Sequence, residues 1–232
     1  MKQIITSLFV IIVLSACNSK SDHKMTVKGE IKGLKKGTLY LQKIEEGTLS
    51  TIDSTFLEDT GIYELYSNGE SGILHFLSLD KSNSKSIPFF GAPGTITINS
   101  QLEKFVIQAK ISGSKNQEIL DNFNDIAAKF QNQNLDMIKE SLEAQKEQDQ
   151  EKVAKISKRQ EQHVRRKYLY ATNFALTHSD SEVAPYLALT VLNDANIKLL
   201  DTINQSLSEA IKNSTYGQEL SKYIKKIKET EK

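Results

Sequence analysis

Residues 104–130, KFVIQAKISGSKNQEILDNFNDIAAKF, change character in the middle, and that change decides the fold. Up to Gly113 the segment is short, rich in β-branched and aromatic residues and bounded by glycine, as a strand is. From Ser114 the pattern is helical. Ser114 followed by Gln117 three residues on is a capping-box start, and Ile119, Leu120, Phe123, Ile126, Ala127 and Phe130 recur at the spacing of one helix face. A β body ends here and a helical body begins.

Upstream, the same strand signature repeats. MTVKGEIKG alternates apolar and polar residues through Val27, Gly29 and Ile31, and GTLYLQKI repeats that through Leu39, Leu41 and Ile44. TLSTIDSTFLED, GIYELYS, GILHFLSLD, SIPFFG and GTITINS follow, separated by turn residues. Seven or eight strands at this spacing predict an antiparallel β-sandwich or open barrel, joined by tight hairpins.

Downstream, Glu140 to Lys158 is almost entirely polar, and apolar spacing resumes at Val164, Tyr168, Ala171, Phe174 and Ala175. This predicts two long antiparallel helices with their tip near Gln148–Gln150, rather than one continuous helix whose polar middle would bury nothing. Further helices are expected over SEVAPYLALTVL, with Pro185 confined to the first turn, NIKLLDTINQSLSEAIKN and TYGQELSKYIKKIKE. The class is therefore α+β, with residues 25–113 a β domain and 114–232 a helical domain.

The first residues, MKQIITSLFVIIVLSAC, have the charged start, short apolar run and small-residue site of a secretory signal. The run is far shorter than the roughly 20 residues that span a bilayer. Leu14, Ser15, Ala16 and Cys17 resemble the lipobox of bacterial lipoproteins. That resemblance implies removal of residues 1–16, lipidation of Cys17 and a tether over 17–24, leaving the protein on the cell envelope, in the outer membrane facing the periplasm. The mature chain would then carry no second cysteine, and thiol redox chemistry by this polypeptide alone is excluded.

The order MTVKGEIKGLKKGTLYLQKI, TIDST, GIYELY, PFFGAPGTITI and ISGSKNQEILDNFN also resembles the uncharacterised N-terminal module of bacterial thiol:disulfide interchange lipoproteins. The resemblance covers Met25 to Asn124. It implies the same location and architecture. The chain stops at Lys232, about where the family's redox domain would start, and the catalytic Cys-x-x-Cys has no counterpart.

The mature chain would hold 29 basic and 29 acidic residues, so no global field argues for nucleic acid. His23, His75, His163 and His178 have no metal-ligand spacing and are expected to be solvated or structural. Glu140, Glu143 and Glu147 share a helix face, but Lys139 and Lys146 interleave with them as on a salt-bridged surface rather than a calcium loop. Arg165-Arg166-Lys167 is a small basic patch by the standard of lipid-binding clusters. Neither a nucleophile elbow nor a phosphate-binding glycine loop occurs. The most site-like segments are a turn at Asp53, Ser54 and Thr55, and Phe89 with Phe90, one ring inside and one at a pocket or interface.

These readings converge on a non-enzymatic lipoprotein that binds or scaffolds an envelope partner, with no cofactor or metal and with the membrane contacted through Cys17. Supplying the module in trans to a separate redox protein is the alternative, and a cryptic hydrolase the third.

Overall fold

A computed structural model describes residues 24–68, 72–81 and 85–230. The expected signal segment 1–16 with Leu14, Ser15 and Ala16, the expected lipidation site Cys17, His23 and all of the expected tether but Lys24 lie outside the described residues. No helix among the described residues is long and apolar enough to cross a membrane.

Eight strands come first: β1 (Met25–Lys32), β2 (Lys36–Glu45), β3 (Thr48–Glu58), β4 (Ile62–Ser67), β5 (Leu74–Ser78), β6 (Ser86–Phe90), β7 (Gly94–Gln101) and β8 (Lys110–Ser112). They form two four-stranded sheets, ordered β4-β1-β7-β8 and β3-β2-β5-β6. Period-2 alternation turns Val27, Leu65 and Ile96 of the first sheet and Leu39, Leu77 and Phe89 of the second into one shared core. The sheets do not close on each other, so the arrangement is a sandwich, not a barrel.

Three expectations change. The pairing is not wholly antiparallel, because β1 runs parallel to β7 from Met25↔Gly94 to Lys32↔Gln101. Alternation cannot reveal strand direction, and these two strands are joined through the whole second sheet. The Phe105–Ala109 part of the last strand segment is not a strand. A 3-10 turn at Leu102–Lys104 precedes it, Phe105 is buried, and the Ser100 hydroxyl donates to its carbonyl at 2.6 Å. Ile44 is 57% exposed rather than inward, since Leu41 and Lys43 take the inner face and Gln42 and Ile44 the outer one.

Gly113 makes the passage from sheet to helix. Its φ is +99°, and a Cβ there would stand 2.2 Å from the Thr95 carbonyl oxygen, so no other residue fits. The Ser114 side chain then accepts from the Gln117 N–H at the start of α1 (Lys115–Lys146). The reciprocal half of the expected capping box does not form. Gln117 instead accepts from the Phe90 N–H at 3.0 Å and so satisfies the outer edge of β6.

α1 and α2 (Gln150–Thr177) form the expected hairpin, with Gln148 in the left-handed region at φ 58° between them. The shorter helices are α3 (Val183–Thr190), α4 (Ile197–Ser206), α5 (Glu209–Lys212) and α6 (Thr215–Thr230). Pro185 sits in the first turn of α3, where its missing N–H costs nothing. The predicted fourth helix is broken in two, because Leu207 turns extended and Ser208 caps α5 through the Ile211 N–H. Val183, Leu187, Leu200, Ile203 and Leu220 make the second core, which takes in the base of the hairpin and, from the sheet, Phe90.

Candidate binding face on the helical hairpin

The hairpin is long because its seam repeats every seven residues. On α1, Phe123, Phe130, Met137 and Ala144 face α2; on α2, Ile156, His163 and Tyr170 face back. Rings occupy the lower seam: Phe123 stacks on Tyr170 at 5.3 Å, and Phe130 meets His163 edge-on at 5.5 Å. Met137, Ala144, Ile156 and Val153 form a separate small core near the tip. The polar segment 140–158 therefore buries more than its composition implies.

Three features depart from the pattern expected of a self-contained hairpin. Val164, spaced as a core residue, is 42% exposed, and its neighbour His163, expected on a polar helix, fills the seam at 2% exposure. The Nδ1 atom of His163 is buried with no hydrogen-bond partner among the described residues. Leu135, Ile138 and Leu142, at i, i+3 and i+7, are 56%, 41% and 54% exposed. They lie roughly 100–160° round from the seam, turned to the same side as Val164. This apolar stripe falls inside a stretch whose charged residues dominate at first reading.

A groove of 570 Å³ opens on this front side at the hairpin's base, among Ala127, Phe130, Gln131, Val164, Lys167 and the end of α3 at Thr190 and Val191. The opposite side carries a charged groove of 410 Å³ with Asp136, Glu140, Arg159 and Arg166. His163 lines both.

The three glutamates do not gather around a cation. Glu140 pairs with Arg159 at 2.5 Å and Glu147 with Lys152 at 3.2 Å, so their partners come from α2 rather than from Lys139 and Lys146 on their own helix. Among the described residues no cluster of three or more His, Cys, Asp and Glu side chains is placed to hold a metal. The basic tripeptide is divided: Arg166 lines the charged groove and Lys167 the front one. His178 stacks on Phe174 at 4.2 Å, with its Nδ1 2.8 Å from the Phe174 carbonyl.

The sheet residues singled out from the sequence are not brought together. Asp53, Ser54 and Thr55 lie within β3, not in a turn, next to a register shift where Ile52 is the extra residue. The Asp53 carboxylate accepts from the Ser54 and Tyr66 N–H groups, both at 2.8 Å. It thus ties the edge of one sheet to the edge of the other. Phe89 and Phe90 are on β6, across β2 and β5 from β3. Both rings are fully buried: Phe89 in the sandwich core, Phe90 in the helical core against Tyr186 and Tyr216 at 5.3 and 6.2 Å. Tyr216 closes this junction by accepting the Leu74 N–H at 3.2 Å, and burial pushes its hydroxyl up to about 12. Asn116 donates to Glu182 at 2.8 Å beside it.

Sheets, junction and arm together define a class of protein: an α+β body of two facing sheets that carries a projecting helical hairpin. Residues 25–120, the sandwich and the first turns of α1, match the family described as Domain of unknown function (DUF4369). No curated protein and no solved structure matches the chain. The match ends before Phe123, so the seam, both grooves and the exposed stripe lie beyond it.

Proposed function

We propose that this protein is a non-enzymatic binding or scaffolding lipoprotein of the cell envelope, tethered through Cys17 in the outer membrane and facing the periplasm. Its contact surface is the front of the helical hairpin. The exposed stripe of Leu135, Ile138 and Leu142 carries the reading. Three large aliphatic side chains at helical spacing, on an arm whose own seam is already filled, cost solvation and add nothing to the hairpin. An amphipathic helix of a partner protein would cover them in the helix-in-groove manner.

The resemblance of Met25–Asn124 to the module found upstream of redox domains supports a second reading, in which the partner is a separate thiol-disulfide protein served in trans. Both readings use the same arm and differ in what it holds.

The test is photo-cross-linking in cells, with p-benzoylphenylalanine at position 138 on the stripe and at position 133 on the opposite side. A discrete adduct from position 138, lost when Leu135 and Leu142 are changed to glutamate, is the expected result. Equal adducts from both positions would refute the stripe as the contact. A thioredoxin-fold protein in the adduct would favour the second reading, and an envelope-assembly or transport component the first.

A further inference from the structure

The groove at the base of the hairpin differs in kind from the stripe above it. Among the described residues no carboxylate lines it, whereas the groove behind it balances Asp136 and Glu140 against Arg159 and Arg166. It holds one cation, Lys167, which forms no ion pair among the described residues and whose Nζ lies 5.9 Å from the centroid of the Tyr168 ring. On its floor stands His163, at a seam position that an aliphatic residue would fill without leaving a polar atom unsatisfied. A neutral imidazole has one nitrogen that donates and one that accepts, and the buried Nδ1 has nothing to bond to. Phe130 and Val164 supply apolar walls. The volume of 570 Å³ is within the range of roughly 300–1,000 Å³ usual for small-molecule sites.

We propose that this groove binds a small organic monoanion: a carboxylate carried on an alkyl or aryl body. The Lys167 ammonium meets the carboxylate, the His163 ring floors the groove beside it, and the body lies along Phe130 and Val164. A single cation in a groove lined otherwise by uncharged residues and an imidazole matches one negative charge better than a phosphate, which calls for several charges. The site is independent of the partner reading, since Leu135, Ile138 and Leu142 lie farther out on the arm.

The test titrates decanoate into the full chain carrying Cys17→Ser, so that no acyl group of its own can enter the groove. Calorimetry gives the affinity, and nitrogen-edited NMR follows the His163 imidazole. Saturable binding is expected, with a shift of the His163 ring signals and with decanol much weaker than decanoate. Lys167→Gln should weaken decanoate about tenfold, the loss of one charge-assisted contact of about 1.4 kcal/mol. Val164→Trp, which fills the groove, should abolish binding, and Lys155→Gln, an exposed lysine of the same helix that lines neither groove, should leave it unchanged. If Val164→Trp does not fold, Lys167→Gln and the imidazole shift decide. The proposal is overturned if decanoate does not saturate, if decanol binds as well, or if Lys167→Gln binds like the parent. Loss of the position-138 adduct would leave it standing.

Discussion

Replacing Phe90 by alanine removes the one side chain of the sandwich that, among the described residues, is buried in the helical core, and the size of the loss can be worked out. The ring is fully buried, so the transfer and cavity terms together come to about 3–5 kcal/mol. Its edge-on partners Tyr186 and Tyr216 each add roughly 0.5–1.5 kcal/mol beyond area, which puts the expected loss in the upper half of that range. Against a total stability of about 5–15 kcal/mol this is a large share. With a urea slope of about 2 kcal/mol per molar, the midpoint should fall by about 2 M. Far-ultraviolet ellipticity reports the helices, and near-ultraviolet ellipticity the tyrosines at the junction. Phe90→Leu, which keeps most of the volume, should lose far less. A loss under about 1 kcal/mol for Phe90→Ala would refute the view that this ring joins the two bodies.

Asp53→Ala should lower stability by about 1–3 kcal/mol in thermal unfolding, because two backbone N–H groups lose their acceptor at the seam between sheets; Asp53→Asn, which keeps one acceptor oxygen, should lose less, and an unchanged Asp53→Ala would sink the strap. Burial holds the Tyr216 hydroxyl at about 12 against its usual 10, so the folded state keeps this proton more tightly than the unfolded chain. The stability it contributes is full below pH 10 and is lost as pH rises towards 12. Tyr216→Phe should therefore flatten part of the alkaline decline in stability, and a decline identical to the parent's would contradict the assignment.

Local rules sufficed for most elements. The strand boundaries follow Gly33, Gly47 and Gly61, the hairpin tip falls where the chain is most polar, and Gly113-Ser114 marks the switch of period. What escaped was set by long-range pairing or by a shift of one residue. Nothing in the alternation of β1 tells it to run parallel to β7, and the Phe105–Ala109 run has the residue types of a strand but no partner strand. Val164 and His163 exchange places because the heptad seam, not the apolar residue, sets which face turns inward. The seven-residue spacing of Phe123, Phe130, Met137 and Ala144 was open to view in the sequence, and following it to the facing helix would have put His163 inside.

β1 is the first strand among the described residues, and it is also an interior strand, paired to β4 on one side and to β7 on the other. A pull on Met25 directed along β1 loads the ladders to β4 and β7 together. Such a load shears both ladders at once, so their hydrogen bonds resist together instead of opening one by one as at a frayed edge. A force arriving at Met25 in that direction thus meets two ladders before it passes on to the helical arm, which joins the sandwich at Gly113.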